Sequence, residues 1–226
     1  MANVILFGPP GAGKGTQAKY LVDKFSLFKI SSGDLLRKEI KNETELGNKI
    51  KSIIDQGSLV DDNYIDGLIE KIISNKKYFN MLIFDGYPRN INQARTLDSL
   101  ISKFDQKISC VFSLKVDHEV VVKRILGRQT CLSCGLIFNT FFSPSTKENH
   151  NCDEKYLKKR SDDNKATIIK RIKTYNIKTL PVLNYYSDQN LLCEIDGMRK
   201  ISIIYKEIRA IMHTLDTWLY MVHLYK

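Results

Sequence analysis

The 226-residue sequence has no stretch of 18 or more apolar residues, so no membrane-spanning helix and no membrane partner is indicated. Internal repeats and low-complexity linkers are also missing, which excludes a solenoid and a string of tethered modules. Neither a basic n-region nor an Arg-rich leader precedes the first strand-like run, Asn3-Val4-Ile5-Leu6-Phe7, and a soluble cytoplasmic protein is expected. Five cysteines, an odd number without a secretion signal, argue against a disulfide framework and for thiols or a metal. No heptad seam suggests a dimer, so a monomer is expected.

What is present fits one α/β chain. The apolar share of 43% is ordinary and, at this length, supports a sizeable core with small inserted lobes. The net charge of +10 invites a nucleic-acid partner. Most of it, however, comes from lysines scattered between Lys19 and Lys206, many on helix faces where water solvates them. No nucleic acid is expected.

Strand-like runs recur at Val4–Phe7, Phe28–Ser31, Met81–Asp85, Ile108–Val116 and Leu191–Ile195. Helical spacing separates them, as in Leu46, Ile50, Ile53 and Ile54, or Ile65, Leu68, Ile69, Ile72 and Ile73. This alternation predicts a parallel sheet covered on both faces, with ligands beyond the carboxyl ends of its strands. Two segments exceed a minimal βα repeat: a pair of helical patterns from Asp34 to Asn75, and a polar, turn-rich stretch from Arg128 to Arg160. The end of the chain, Ile201 to Tyr225, predicts one long helix or two short ones, with Trp218, Leu219 and Val222 packed on the body.

The strongest signal is Gly8-Pro9-Pro10-Gly11-Ala12-Gly13-Lys14-Gly15-Thr16, directly after a strand and before a helical pattern. Glycines let successive N–H groups point inward at phosphate oxygens, the helix terminus adds partial positive charge, and the lysine reaches the β/γ-phosphates. Gly15 follows the lysine, with the hydroxyl one place later at Thr16. This GKGT arrangement resembles the nucleoside monophosphate kinases, and the adenylate kinase family in particular.

Further motifs carry that resemblance over nearly the whole chain. Ser31-Ser32-Gly33-Asp34-Leu35-Leu36-Arg37 resembles the family's AMP segment, and Gly57-Ser58-Leu59-Val60-Asp61 its adenosine loop. Asp85-Gly86-Tyr87-Pro88-Arg89 ends the third strand. By resemblance, Asp85 holds Mg2+ through water, Gly86 admits the acceptor and Arg89 grips its phosphate. Gln93 matches the glutamine that reads the adenine of AMP. Arg124 and Arg128 lie four apart at the end of a helical pattern, so their side chains are expected on one face, against the triphosphate. Arg160-Ser161-Asp162-Asp163 resembles the exit of a lid, with Arg160 and then Arg171 on the transferred phosphoryl group. Asp162 and Asp163 would pair with lid arginines or cap the following helix. Ile137 and Phe138, with the backbone near Arg199, resemble the donor-base contacts.

The resemblance implies a three-layer α/β P-loop kinase: a core of residues 1–30, 76–127 and 161–226, an NMP-binding lobe at 31–75 and a lid at 128–160. It implies reversible phosphoryl transfer between ATP and AMP with Mg2+, giving two ADP. Fixed positive charge suits two anionic substrates, and arginine matches phosphate geometry. A GTP:AMP phosphotransferase is the nearest rival, because donor preference rests largely on backbone and apolar contacts. A pyrimidine monophosphate kinase is disfavoured by Gln93 and the long lid. A zinc-containing nucleic-acid-binding ATPase would need a basic stripe with interleaved aromatics.

Cys131-Leu132-Ser133-Cys134-Gly135 forms a knuckle suited to structural Zn2+, and Cys152, eighteen positions after Cys134, fits a third ligand. Lys155 stands where the family often has a fourth. His150 is the best replacement and Asp153 a poorer one. Cys110 and Cys193 lie in strand patterns and are expected to be small core residues.

Overall fold

The computed structural model describes residues 2–224, with side chains as far as Leu215. Five parallel strands, β1 (Asn3–Phe7), β2 (Phe28–Ser31), β3 (Leu82–Asp85), β4 (Ile108–Lys115) and β8 (Leu192–Asp196), stand in the order β2-β3-β1-β4-β8. Alternation along β1 explains the layers. Ile5 and Phe7 face one apolar cluster, built with α4 (Asp62–Ile73), α5 (Ile91–Lys103) and α8 (Pro181–Ser187). Val4 and Leu6 face another, built with α1 (Lys14–Phe25) and α9 (Ile201–Leu224). Each fully buried aliphatic side chain contributes about 1.5–3 kcal/mol. β1 has β3 on one side and β4 on the other, so the turn after it opens where the strand order reverses.

The segment between β2 and β3 holds three helices rather than a pair: α2 (Ser32–Lys41), α3 (Glu45–Asp55) and α4. The reason is local. Glu43 takes a left-handed φ of 52°, and the Thr44 hydroxyl then accepts the Gly47 N–H at 2.9 Å, so a new helix starts there. The second insertion follows α6 (His118–Leu126). It is a small antiparallel sheet of β5 (Arg128–Cys131), β6 (Ile137–Asn139) and β7 (Leu157–Lys158), in the order β6-β5-β7. α7 (Lys165–Thr174) returns the chain to the main sheet through a π-type turn at Tyr175–Thr179. From Ile201 to Leu224 the chain forms one helix, α9; Tyr225 lies outside the described residues, and Trp218, Leu219 and Val222 outside the described side chains.

Candidate active site

β1 ends at Phe7, and the glycine turn enters α1 at Lys14. Gly13 sits at φ +98°, a conformation that L side chains rarely adopt, with open space beside it. No described side chain caps α1, so its first N–H groups remain available to an anion. Lys14 folds over this turn and donates to the carbonyls of Gly8 at 2.7 Å and Pro9 at 3.0 Å. Burial brings its pKa down to about 8; Asp85 opposes the shift, while Arg89, Arg171 and Arg128 reinforce it.

The arginines carry the same signature. Burial, then Arg171 and Arg37, push Arg89 down to about 10. Burial, then Arg128 and Arg37, do the same to Arg160. Arg171 is lowered by burial, against Asp162 and Asp163 and with help from Arg128 and Arg37. Burial is the largest cause in each case, and neighbouring cations add to it. Arg37, Arg89 and Arg171 line one cavity, and electrostatic repulsion links them to Lys14, Arg128 and Arg160, which come from separate stretches of chain.

Acidic partners hold some of these cations in place. The fully buried Asp163 carboxylate takes two bonds from Arg128, one of them from Nε at 2.8 Å, and lies 3.6 Å from Arg171. Asp162 accepts from Arg171 at 2.8 Å, and Asp34 from Arg37 at 2.5 Å. Asp162 and Asp163 thus pair with arginines, while the cap of α7 falls to Asn164, whose side chain accepts the Thr167 N–H at 3.0 Å.

One cavity is lined by Ser32, Arg37, Ser58, Leu59, Val60, Gly86, Tyr87, Arg89, Gln93 and Arg171. These are the residues expected on the acceptor side, apart from Arg160, which stands outside the lining. The Gly86 carbonyl organises the floor: it accepts from Ser32 and, at 2.7 Å, from Arg89 Nε, while Arg89 Nη2 reaches Ser32 Oγ at 3.2 Å. Tyr87 is buried and donates to Asp66 at 2.7 Å.

On the donor side the expectation for Arg124 and Arg128 needs correction. Arg124 is on α6, but Arg128 lies past the end of that helix and opens β5. Gly127 makes the break. A Cβ there would meet Phe141, Asn139 and Thr140 at 2.6 to 2.9 Å, so the returning chain packs onto a bare backbone. Asn139 then seals the helix end, donating to the Arg124 carbonyl at 2.7 Å. The Arg124 guanidinium spans to the carbonyls of Ala12 at 3.4 Å and Gly197 at 3.0 Å, 5.7 Å from the Phe142 ring centre.

Ile137 reaches over the glycine turn: its Cδ1 is 3.5 Å from where a Cβ on Gly15 would sit, as is Asp85 Oδ2. Thr16 follows in the first turn of α1. The Phe138 ring is buried against His150, with ring centres 4.7 Å apart, and Arg199 pairs with Glu207.

In the small sheet, ligand atoms of Cys131, Cys134, His150 and Cys152 lie within 4.8 Å of one another. His150 Nδ1 meets Ser145 Oγ at 3.0 Å, and its buried Nε2 has no hydrogen-bond partner among the described residues. Burial opposes ionisation of Cys131, but the Cys134 N–H, His150 and the Ser133 N–H outweigh it and bring the thiol to about 6. Asp153 is engaged elsewhere, accepting the Lys155 N–H at 2.8 Å and lying 3.3 Å from Lys155 Nζ. An orphaned imidazole nitrogen among three thiols is a donor set that fits tetrahedral zinc. Cys110 is buried as expected, whereas Cys193, 3.3 Å from it, is half-exposed.

Three residues at the site have no signal of their own in the sequence: Asn139, Phe142 and Asp62, which meets Gln93 at 2.7 Å. They act from irregular turns or across lobes, where spacing says nothing about contact.

Comparison with known proteins agrees with this geometry. The family profile described as adenylate kinase matches residues 6–191. An adenylate kinase of Pelagibacter ubique is 44% identical over 210 residues, covering 93% of this chain and 99% of its own. That of Chloroherpeton thalassium is 45% identical over 212 residues, covering 92% and 97%. That of Archaeoglobus fulgidus is 38% identical over 217 residues, covering 95% and 100%. With a matching profile over residues 6–191 and near-full-length relatives, the chain belongs to the adenylate kinase family.

Proposed function

We propose that this enzyme moves the terminal phosphoryl group of ATP to AMP, reversibly and with Mg2+, giving two ADP. The observation that carries the proposal is a cavity lined by Arg37, Arg89 and Arg171, with Lys14 folded over the glycine turn and electrostatically coupled to Arg89 and Arg171. Such an arrangement is costly until polyanions enter it.

The chemistry asks little else of the protein. The attacking AMP oxygen is already ionised, so no general base is required, and rate comes from positioning and charge stabilisation. Lys14, Arg124 and Arg128 would hold the triphosphate. Arg37 and Arg89, steadied by Asp34 and by Ser32 with Gly86, would hold the acceptor phosphate. Arg160 and Arg171 would face the group in flight. Mg2+ bound with ATP would spread the charge of the triphosphate. Asp85, whose Oδ2 lies 3.5 Å from where a Cβ on Gly15 would sit, would hold it through water.

Residues 31–75 act as the AMP lobe and 128–160 as the lid. Closure of the lid excludes water that would otherwise take the phosphoryl group. Zinc at Cys131, Cys134, His150 and Cys152 would stiffen the lid without catalysing, since four protein ligands leave no open position.

A nucleotide matrix tests the assignment: ATP or GTP as donor against AMP, CMP and UMP as acceptors, with product analysis. ATP with AMP should give ADP alone. Equal turnover with GTP would remove the donor assignment, and turnover of CMP or UMP the acceptor assignment.

A further inference from the structure

Gln93 is almost wholly buried and borders the acceptor cavity. Both ends of its amide are already spoken for by groups that cannot change role. Its Oε1 accepts the backbone N–H of Arg89 at 2.7 Å, and a peptide N–H only donates. Its Nε2 donates to Asp62 Oδ1 at 2.7 Å, and a carboxylate only accepts. Turning the amide over would set Oε1 against an anionic oxygen and Nε2 against another donor, losing two hydrogen bonds at once.

Asp62 is itself fixed. Asn90 Nδ2 donates to Asp62 Oδ1 at 3.0 Å and Oδ2 at 2.9 Å, and Asn90 Oδ1 accepts the Gln93 N–H at 2.8 Å. Asp62 opens α4 in the helical insertion, whereas Asn90 caps α5 in the core. The carboxylate therefore spans the two parts and does not itself border the cavity.

We infer that Asp62 is a positioning residue that decides which purine the acceptor site takes, by locking the Gln93 amide in one orientation. The inference rests on the proposed reading that Gln93 meets the acceptor base. With one lone pair of Oε1 and one N–H of Nε2 committed, the amide presents one acceptor and one donor in a fixed order. A 6-aminopurine answers with its amino N–H and ring N1. A 6-oxopurine offers an acceptor and an N–H in the reverse order, and leaves two buried polar groups facing like partners.

The test compares kcat/KM for AMP and for IMP, with ATP as donor, in the natural protein, Asp62→Asn, Asp62→Ala and Gln93→Ala. Asn has nearly the shape of Asp but can donate, and Ala removes the acceptor. Either removes one of the two bonds that oppose turning of the Gln93 amide and should lower the AMP:IMP ratio about tenfold, the size of one lost hydrogen bond. KM for ATP should stay unchanged. An unaltered ratio in both Asp62 variants, with a collapsed ratio in Gln93→Ala, overturns the lock and leaves the Gln93 reading standing. An unaltered ratio in Gln93→Ala overturns that reading and the lock with it. Lower melting temperature and raised KM for ATP at a constant ratio would make Asp62 merely structural, and also overturn the inference.

Discussion

The five-stranded body and the three-stranded insertion are stabilised by different physics. The body buries an apolar cluster on each face of its sheet, and β1 is buried along its whole length. In residues 128–160 the buried side chains are Cys131, Phe138 and His150, two of them in the Cys3His cluster. A unit that small cannot bury enough apolar surface to offset its chain entropy, so it depends on a metal or on ion pairs to the body. The lesson concerns mobility. The proposed lid is the part with little core of its own, joined to the body by ion pairs such as Arg128 with Asp163.

Removing residues 130–158 should break the comparison most severely. The body should stay folded with cooperative melting, while transfer falls about a thousandfold, because water exclusion and the arginine cage go together. Unchanged turnover in that deletion would end the lid assignment. Cys131→Ser, or exhaustive chelation, should come next. Metal analysis should show loss of about one zinc per chain, and calorimetry an early transition confined to the insertion. A single transition lowered as a whole would mean that the two parts melt as one.

Asp163→Asn sharpens the comparison from the other side. It keeps the shape but removes the charge between Arg128 and Arg171, and should lower kcat/KM about tenfold while leaving the zinc in place. Loss of the metal instead would place Asp163 within the insertion's own stability.

Close to neutral pH the smallest effect is the pH dependence. Lys14 titrates at about 8 in the free protein, so kcat/KM for ATP should fall about tenfold per pH unit above that value. A bound triphosphate favours the charged lysine, so the corresponding limb of kcat should appear at higher pH. Coincident limbs would contradict this. Stability responds with the opposite sign. A lysine lowered from 10.5 to about 8 on folding binds fewer protons than in the unfolded chain, so its contribution rises between those values.

Much of this was legible in the residues. The strand runs and the glycine turn lie within a residue or two of their structural limits, because period-two burial and strand-loop-helix chemistry are local. The third helix of the first insertion was not legible, because it depends on a left-handed Glu43 and the Thr44 cap within a continuous helical pattern. Arg124 and Arg128 were read as sharing a helix face, yet the close approach of Phe141 and Asn139 to Gly127 ends the helix between them. His150 was a candidate ligand on chemistry; the separations in the folded insertion favour it over Asp153, whose carboxylate is held by Lys155.

By itself, the order of residues determined the alternation of strand and helix, the phosphate-binding chemistry after β1 and the supply of arginines, since each is written in neighbouring side chains and backbone freedom. Only the tertiary structure decided that Arg37, Arg89 and Arg171 line one cavity, which acid holds which arginine, and that a carboxylate on α4 meets an amide on α5. Those outcomes depend on distances between segments far apart in the chain, and electrostatic and hydrogen-bond energies change steeply over a few ångströms.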